Sequence, residues 1–251
     1  MTAFEFKNID ENSDRYINPS SMGNFLNEEE IKHNTMFGKQ VRVGIIGPSG
    51  SGKTTLLKEF IKKPDHFNYS KIIVYASITS LRSGFYRNLK EAAPDVVSLV
   101  PIDLIQHLDK TVMDVKEKYF IIFDDIATVR NKKLIESVES FFAFGSKLNM
   151  HLFYLSQSNT NTGLNKFMRQ NISSYIIMYG TESEQIDLIF RQVVGKDITD
   201  LDKQALKEQL NAKQYNYLII AKQVPIEEGR YVVNDKIFRI KLKIYSSRVK
   251  S

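Results

Sequence analysis

The chain has 251 residues, a formal charge of +6 and no cysteine, which excludes disulfides and cysteine-ligated zinc and suits a reducing compartment. Its length can bury one substantial core, so one α/β domain with extensions is expected. No stretch reaches the roughly 20 apolar residues of a membrane span, and the polar start MTAFEFKNIDENSDRY is not a secretory signal.

Charge is unevenly spread. Residues 1–36 hold seven acids against Lys7, Arg15 and Lys32, a net −4 that leaves +10 on the remainder. A basic body of this kind suits a polyanionic partner. Residues 1–37 read as an arm with one short helix near Asn27–Lys32, because periodic apolar positions are scarce. Residues 38–200 read as the core domain, and residues 201–251 as its helix and antiparallel-strand extension.

From Gly38 onward, short apolar runs alternate with helical segments, the signature of a mostly parallel sheet flanked by helices. The predicted strands are Val41–Ile46, Lys71–Ile78, Tyr119–Phe123, His151–Ser156 and Ser174–Tyr179. Helices are predicted at Thr54–Lys63, Ser83–Ala92, Ile102–Val115, Lys132–Leu148 and Glu182–Val194. Tyr215–Lys222 and Arg230–Tyr245 read as antiparallel additions around a turn at Glu227-Glu228-Gly229. In the last of these, Arg239, Lys241 and Lys243 alternate with Phe238, Ile240, Leu242 and Ile244. Such a stripe is either a solvated, edge-protecting face or a polyanion contact.

Residues 47–54, Gly47-Pro48-Ser49-Gly50-Ser51-Gly52-Lys53-Thr54, form a complete G-x-x-x-x-G-K-[ST] loop between a predicted strand and a predicted helix. That context makes the pattern specific for a bound polyphosphate. The loop through Thr55 would cradle ATP, Lys53 would neutralise the β/γ oxygens and the Thr54 hydroxyl would ligate Mg²⁺. Further along, the apolar strand Tyr119–Phe123 ends in Asp124-Asp125. Asp124 would share the Mg²⁺ with Thr54, and Asp125 would orient or deprotonate the attacking water.

A whole strand, Lys71–Ile78, lies between the loop and these acids, an order that belongs to the additional-strand (ASCE) class of P-loop NTPases. In that class the strand after the acidic one inserts beside the phosphate-loop strand. Here it is His151–Ser156, and it delivers Gln157 toward the γ-phosphate. A neutral amide there can both donate to and accept from water.

The loop Gly47–Thr54, the Asp124-Asp125 pair, the strand ending Leu155-Ser-Gln-Ser158 and the segment Phe167-Met-Arg-Gln-Asn171 resemble the FtsK–HerA superfamily. Within it they are most similar to the genome-packaging ATPases of large DNA viruses and virophages, of poxvirus type. The resemblance implies a Mg-dependent ATPase that drives double-stranded DNA into a preformed capsid as a homo-oligomeric ring, a pentamer or hexamer. It further implies capsid proteins as partners, and a place in the host cytoplasm at sites of virus assembly or in the virion. Many relatives carry Gly-Arg-His before the glutamine strand, and that arginine is a candidate trans-acting finger. This chain has Gly145-Ser146-Lys147 instead. Arg169, Lys147, Arg130 or a residue elsewhere is left as the finger, although a lysine lacks the bidentate fork of arginine.

Other readings stay open. A HerA-like helicase or translocase is the nearest, and a nucleotide-regulated capsid-docking protein using residues 1–36 as its arm is another. A small-molecule kinase would need an arginine-rich lid, which the sequence does not display. A GTPase would need Asp-x-x-Gly after the acidic strand. In the motor reading, the Arg82–Arg87 and Arg130–Lys133 loops would meet DNA phosphates. The four histidines lack ligand spacing, and most aromatics fall in core-patterned runs.

Overall fold

The computed structural model describes residues 5–8, 41–62, 67, 69–108, 116–126, 131–160, 164–226, 230–234 and 236–239. Its strands are β1 (Glu5–Asn8), β2 (Arg42–Ile46), β3 (Lys71–Ala76), β4 (Val97–Pro101), β5 (Tyr119–Asp124), β6 (Met150–Ser156), β7 (Ser174–Met178), β8 (Tyr217–Ala221), β9 (Tyr231–Val233) and β10 (Lys236–Arg239). Its helices are α1 (Lys53–Ile61), α2 (Ile78–Leu81), α3 (Gly84–Ala92), α4 (Lys132–Phe144), α5 (Lys166–Asn171), α6 (Ser183–Ile189) and α7 (Asp200–Asn211).

All ten strands join one sheet in the order β1-β10-β9-β8-β7-β2-β6-β5-β3-β4. Strands β2 to β7 are mutually parallel, whereas β8, β9, β10 and β1 add on antiparallel. Strand β6 lies between β2 and β5, as the additional-strand order predicts.

Side chains alternate between two cores, as a period of two requires. Phe120 and Ile122 face one side with Val43, Ile45 and Phe153, and Leu57 and Ile61 of α1 and Tyr86 of α3 cover them. Ile121 and Phe123 face the other side with Leu152 and Tyr154, beneath α4, α6 and α7. Phe120 and Phe153 stack across neighbouring strands with ring centroids 4.4 Å apart, so both faces are dry and the central strands are near-continuously apolar. Helix starts are set locally. Asn131 caps α4, Asn165 caps α5, and Thr199 with Asp202 forms a capping box on α7.

Several expectations need correction. Val97–Pro101 is a sixth parallel strand on the outer edge, where a terminal proline costs no ladder bond. Strand β3 stops at Ala76 because Ser77 caps α2, its side chain accepting from the Ser80 N–H. The helix expected over Ile102–Val115 is a single 3₁₀ turn at Ile102–Leu104 followed by irregular chain to Leu108; residues 109–115 lie outside the described residues. The Arg82–Arg87 segment is not a loop: Arg82 ends α2 and Arg87 lies within α3. The expected strand Arg230–Tyr245 divides into β9 and β10 at Asn234, whose φ is +46°.

The helix expected over Glu182–Val194 continues from α6 as a π turn over Phe190–Val194. At the other end of the sheet, β1 from the amino-terminal arm pairs with β10, covering an edge that would otherwise stay unpaired. The helix expected at Asn27–Lys32, the turn at 227–229 and the cations Lys241 and Lys243 lie outside the described residues. No helix among the described residues is long and apolar enough to cross a membrane.

Candidate functional site

The ends of β2, β5 and β6 and the start of α1 meet at the carboxyl edge of the sheet, where parallel α/β folds hold ligands. The register fixes which residues emerge together: Ile46 pairs with Ser156, Asp124 with Leu155, and Ala76 with Asp124. The cleft they enclose measures about 650 Å³. It is lined by Ser49–Leu56, Asp124, Asp125, Ser156 and Gln157, with Ser80, Met178, Tyr215 and Tyr217 among the rest.

Two glycines are dictated by geometry. Gly52, the N-cap of α1, has φ +94°, in the region that side chains other than glycine's rarely adopt. A Cβ on Gly47 would lie 2.6 Å from Met178 Cβ, so the loop enters pressed against β7. The Gly47 N–H also donates to the Ser156 carbonyl at 3.1 Å, which ties the loop to the end of β6.

Lys53 donates from Nζ to the Gly47 and Pro48 carbonyls at 2.7 and 2.8 Å. Burial pushes its ammonium below the usual lysine range, while Asp124 and Asp125 pull it back up. The Ser51 hydroxyl is buried in the loop with no hydrogen-bond partner, a donor that an incoming oxyanion would satisfy. Thr54 is half-buried one residue into α1, and Thr55 is exposed.

Asp124 is half-buried at the end of β5, and its Oδ2 accepts from the Tyr86 hydroxyl at 2.7 Å. Burial raises the Asp124 carboxyl above the usual carboxylate range; the Tyr86 hydrogen bond opposes that, and Asp125 adds to it. Tyr86 itself is pushed up by burial and then by Asp124, so it remains a donor. Asp125 has φ +52°, a left-handed turn that aspartate tolerates better than most residues, and it brings a second carboxylate to the cleft. Of the acids lining the cleft, Asp124 and Asp125 act on the one lysine, whose ammonium is already bonded to loop carbonyls. A hydroxyl and a carboxylate are hard oxygen donors of the kind Mg²⁺ takes, and Thr54 and Asp124 are the residues of this cleft that could hold it.

The remaining candidates lie apart from one another. Gln157 is exposed at the lip of the cleft beside Ser156. Arg169 on α5 donates to the Leu164 and Asn159 carbonyls and borders a different hollow with Lys166, Tyr175 and Lys222. Lys147 is exposed in the 3₁₀ turn that precedes β6, at the amino edge of the sheet and opposite the cleft. Arg130 lies outside the described residues. The sequence reading missed Tyr86, Ser80, Met178, Tyr215 and Tyr217. No spacing rule connects them to the loop, because they reach it from α2, α3, β7 and the entry to β8.

Loop, acidic strand and inserted glutamine strand define the fold as a P-loop NTPase of the additional-strand class. The same fold occurs in the genome packaging NTPase B204 from Sulfolobus turreted icosahedral virus 2 in complex with ATP-gammaS, at 14% identity and a TM-score of 0.50. That match covers 80% of this chain and 98% of the viral one. The crystal structure of B204, the DNA-packaging ATPase from Sulfolobus turreted icosahedral virus, is similar at 17% identity and a TM-score of 0.52, covering 80% and 98%. EssC (ATPases 2 and 3) from Geobacillus thermodenitrificans is similar at 12% identity and a TM-score of 0.52, covering 80% of this chain and 39% of EssC. No protein-family model and no curated protein sequence matches the chain.

Proposed function

We propose that this chain is a Mg²⁺-dependent ATPase that moves double-stranded DNA into a preformed capsid, working as a homo-oligomeric ring. The observation that carries the reading is the convergence of the 47–54 loop, Asp124, Asp125 and Gln157 on one cleft, made by inserting β6 between β2 and β5. Likeness of fold over nearly the whole of a viral packaging NTPase supports packaging over other motor tasks. The basic excess of the chain suits sequence-tolerant contact with phosphates.

In this reading Lys53 and the loop N–H groups hold the β/γ-phosphates at the start of α1. Thr54 and Asp124 would hold Mg²⁺, which when bound would neutralise charge on the phosphate oxygens. Gln157 orients a water in line with the γ-phosphorus. Asp125 takes its proton as the water oxygen bonds to phosphorus and the β–γ bridging bond breaks, leaving ADP and phosphate. Tyr86 fixes the rotamer of Asp124 by its hydrogen bond. Among the described residues lining the cleft, Lys53 is the only cation. A second positive charge at the γ-phosphate, supplied by a neighbouring subunit, would couple hydrolysis to ring assembly.

The test is ATP turnover with and without duplex DNA. Wild-type turnover is expected to rise with DNA, and Lys53→Ala is expected to abolish it. Electron microscopy with a non-hydrolysable ATP analogue and duplex DNA should show a closed ring. If an assembled sample neither binds duplex DNA nor responds to it, the motor reading fails.

A further inference from the structure

The turn between α7 and β8 holds an aromatic ring where the phosphate loop ends. Tyr215 lies there with φ +67°, a left-handed conformation that glycine adopts freely and a bulky side chain does not. The residue is 57% exposed, high for a large aromatic side chain that could instead bury its area. The ring edge nonetheless lies beside the loop, with Cδ1 3.4 Å from where a Cβ on Gly52 would lie, and Met178 Cε is 3.8 Å from the same point. Tyr215 makes no ring contact with another aromatic side chain among the described residues. A strained, exposed tyrosine beside a ligand cleft is the kind of outlier from which a functional role can be inferred.

The turn is also locked. Asn216 is buried, and its Nδ2 donates to the Gln209 carbonyl at 2.8 Å. Its own carbonyl accepts from the Tyr179 N–H at 2.7 Å. The Tyr217 N–H donates to Asn234 Oδ1 at 2.8 Å. The antiparallel pairing of Met178 with Tyr217 then sets the start of β8 beside the end of β7, at the edge where the phosphate loop emerges. These contacts hold the backbone on both sides of Tyr215, and the ring is presented without side-chain contacts of its own to other rings.

We propose that Tyr215 is the stacking platform for the purine base of the bound nucleoside triphosphate, with Met178 and Tyr217 completing the apolar wall. This deepens the proposal above and rests on the cleft being a nucleotide site. A nucleotide held at the start of α1 by its phosphates presents a flat base one ribose away. Of the aromatic residues that line the cleft, Tyr215 is the exposed one. Stacking reads the face of a base, not its edge, so the platform favours a purine over a bare triphosphate and treats ATP and GTP alike.

The experiment compares binding of ATP, GTP and inorganic triphosphate to the full chain by calorimetry. Wild type is expected to bind ATP and GTP at least tenfold more tightly than inorganic triphosphate. Tyr215→Ala should weaken both nucleotides about tenfold and leave triphosphate unchanged, while Tyr215→Phe stays within about twofold of wild type. Tyr215→Gly, which suits the positive φ, should lose nucleotide affinity as Tyr215→Ala does while melting no lower than wild type. That pairing separates the ring from the backbone it sits on. Equal affinity of the wild type for triphosphate and ATP overturns the platform and leaves the phosphate site standing, and so does a Tyr215→Ala variant that loses triphosphate equally. Failure of the wild type to bind any of the three overturns the nucleotide reading itself.

Discussion

The parallel and antiparallel halves of the sheet meet at β7, and they contribute different things to one cleft. The parallel half, β4-β3-β5-β6-β2-β7, supplies every group that would handle phosphate: the loop, Lys53, Thr54, Asp124, Asp125 and Gln157. Its strands all point the same way, so their carboxyl ends converge. The antiparallel half delivers to that edge through the start of β8, and what it delivers is aromatic. Reversing one strand direction therefore places a tyrosine wall beside a phosphate cradle. The opposite edge is different again. There Lys222, after β8, is pushed below the usual lysine range by burial and then by the Arg42 guanidinium, and no acid pairs with it among the described residues.

The comparison can be broken most forcefully at Asp125. Asp125→Asn keeps the shape of the cleft but removes the proton acceptor, and kcat should fall roughly 10²–10⁴-fold with ATP affinity retained. Single-turnover kinetics beside equilibrium binding would check the separation. Equal loss of binding would make Asp125 a structural residue of the parallel half.

A smaller effect is expected at Tyr86. Tyr86→Phe deletes a hydrogen bond to a charged group, and turnover at limiting Mg²⁺ should fall about tenfold. The loss should shrink as Mg²⁺ is raised, because the phenol is bonded to Asp124 and does not itself line the cleft. A Mg²⁺-independent loss would point to damage in the core beneath α3.

The smallest effect belongs to the antiparallel half. Lys222 has a folded pKa below its unfolded value, so its protonated form disfavours folding. That penalty is full below the folded value and vanishes above the ordinary lysine value of 10.5. Lys222→Met should raise the thermal midpoint at pH 7 by about 1–3 °C, given the solvent screening of a part-exposed site. The gain should shrink in melts taken toward pH 10. A gain that did not change with pH would assign it to packing instead of charge.

The phosphate loop was legible because its whole specification lies in eight consecutive residues between a strand and a helix. Asp124-Asp125 was legible because a buried strand announces its own end. Gln157 followed from the order of the strands. Strand β4 was not legible: Val97–Pro101 is short, only partly buried and ends in proline, so neither period nor run length marks it. The helix expected over Ile102–Val115 misread apolar residues that pack as irregular chain, with Ile105 and Leu108 buried against the sheet.

The sequence by itself determined the loop, its lysine and the paired acids that would handle phosphate, because each is a short run of covalent neighbours. Only the tertiary structure decided what meets them. Tyr86 reaches Asp124 across 38 residues of chain, and Tyr215 comes beside Gly52 from the turn before β8. Contacts of that separation are set by strand order and direction, which result from how the two apolar faces pack and are written in no local pattern.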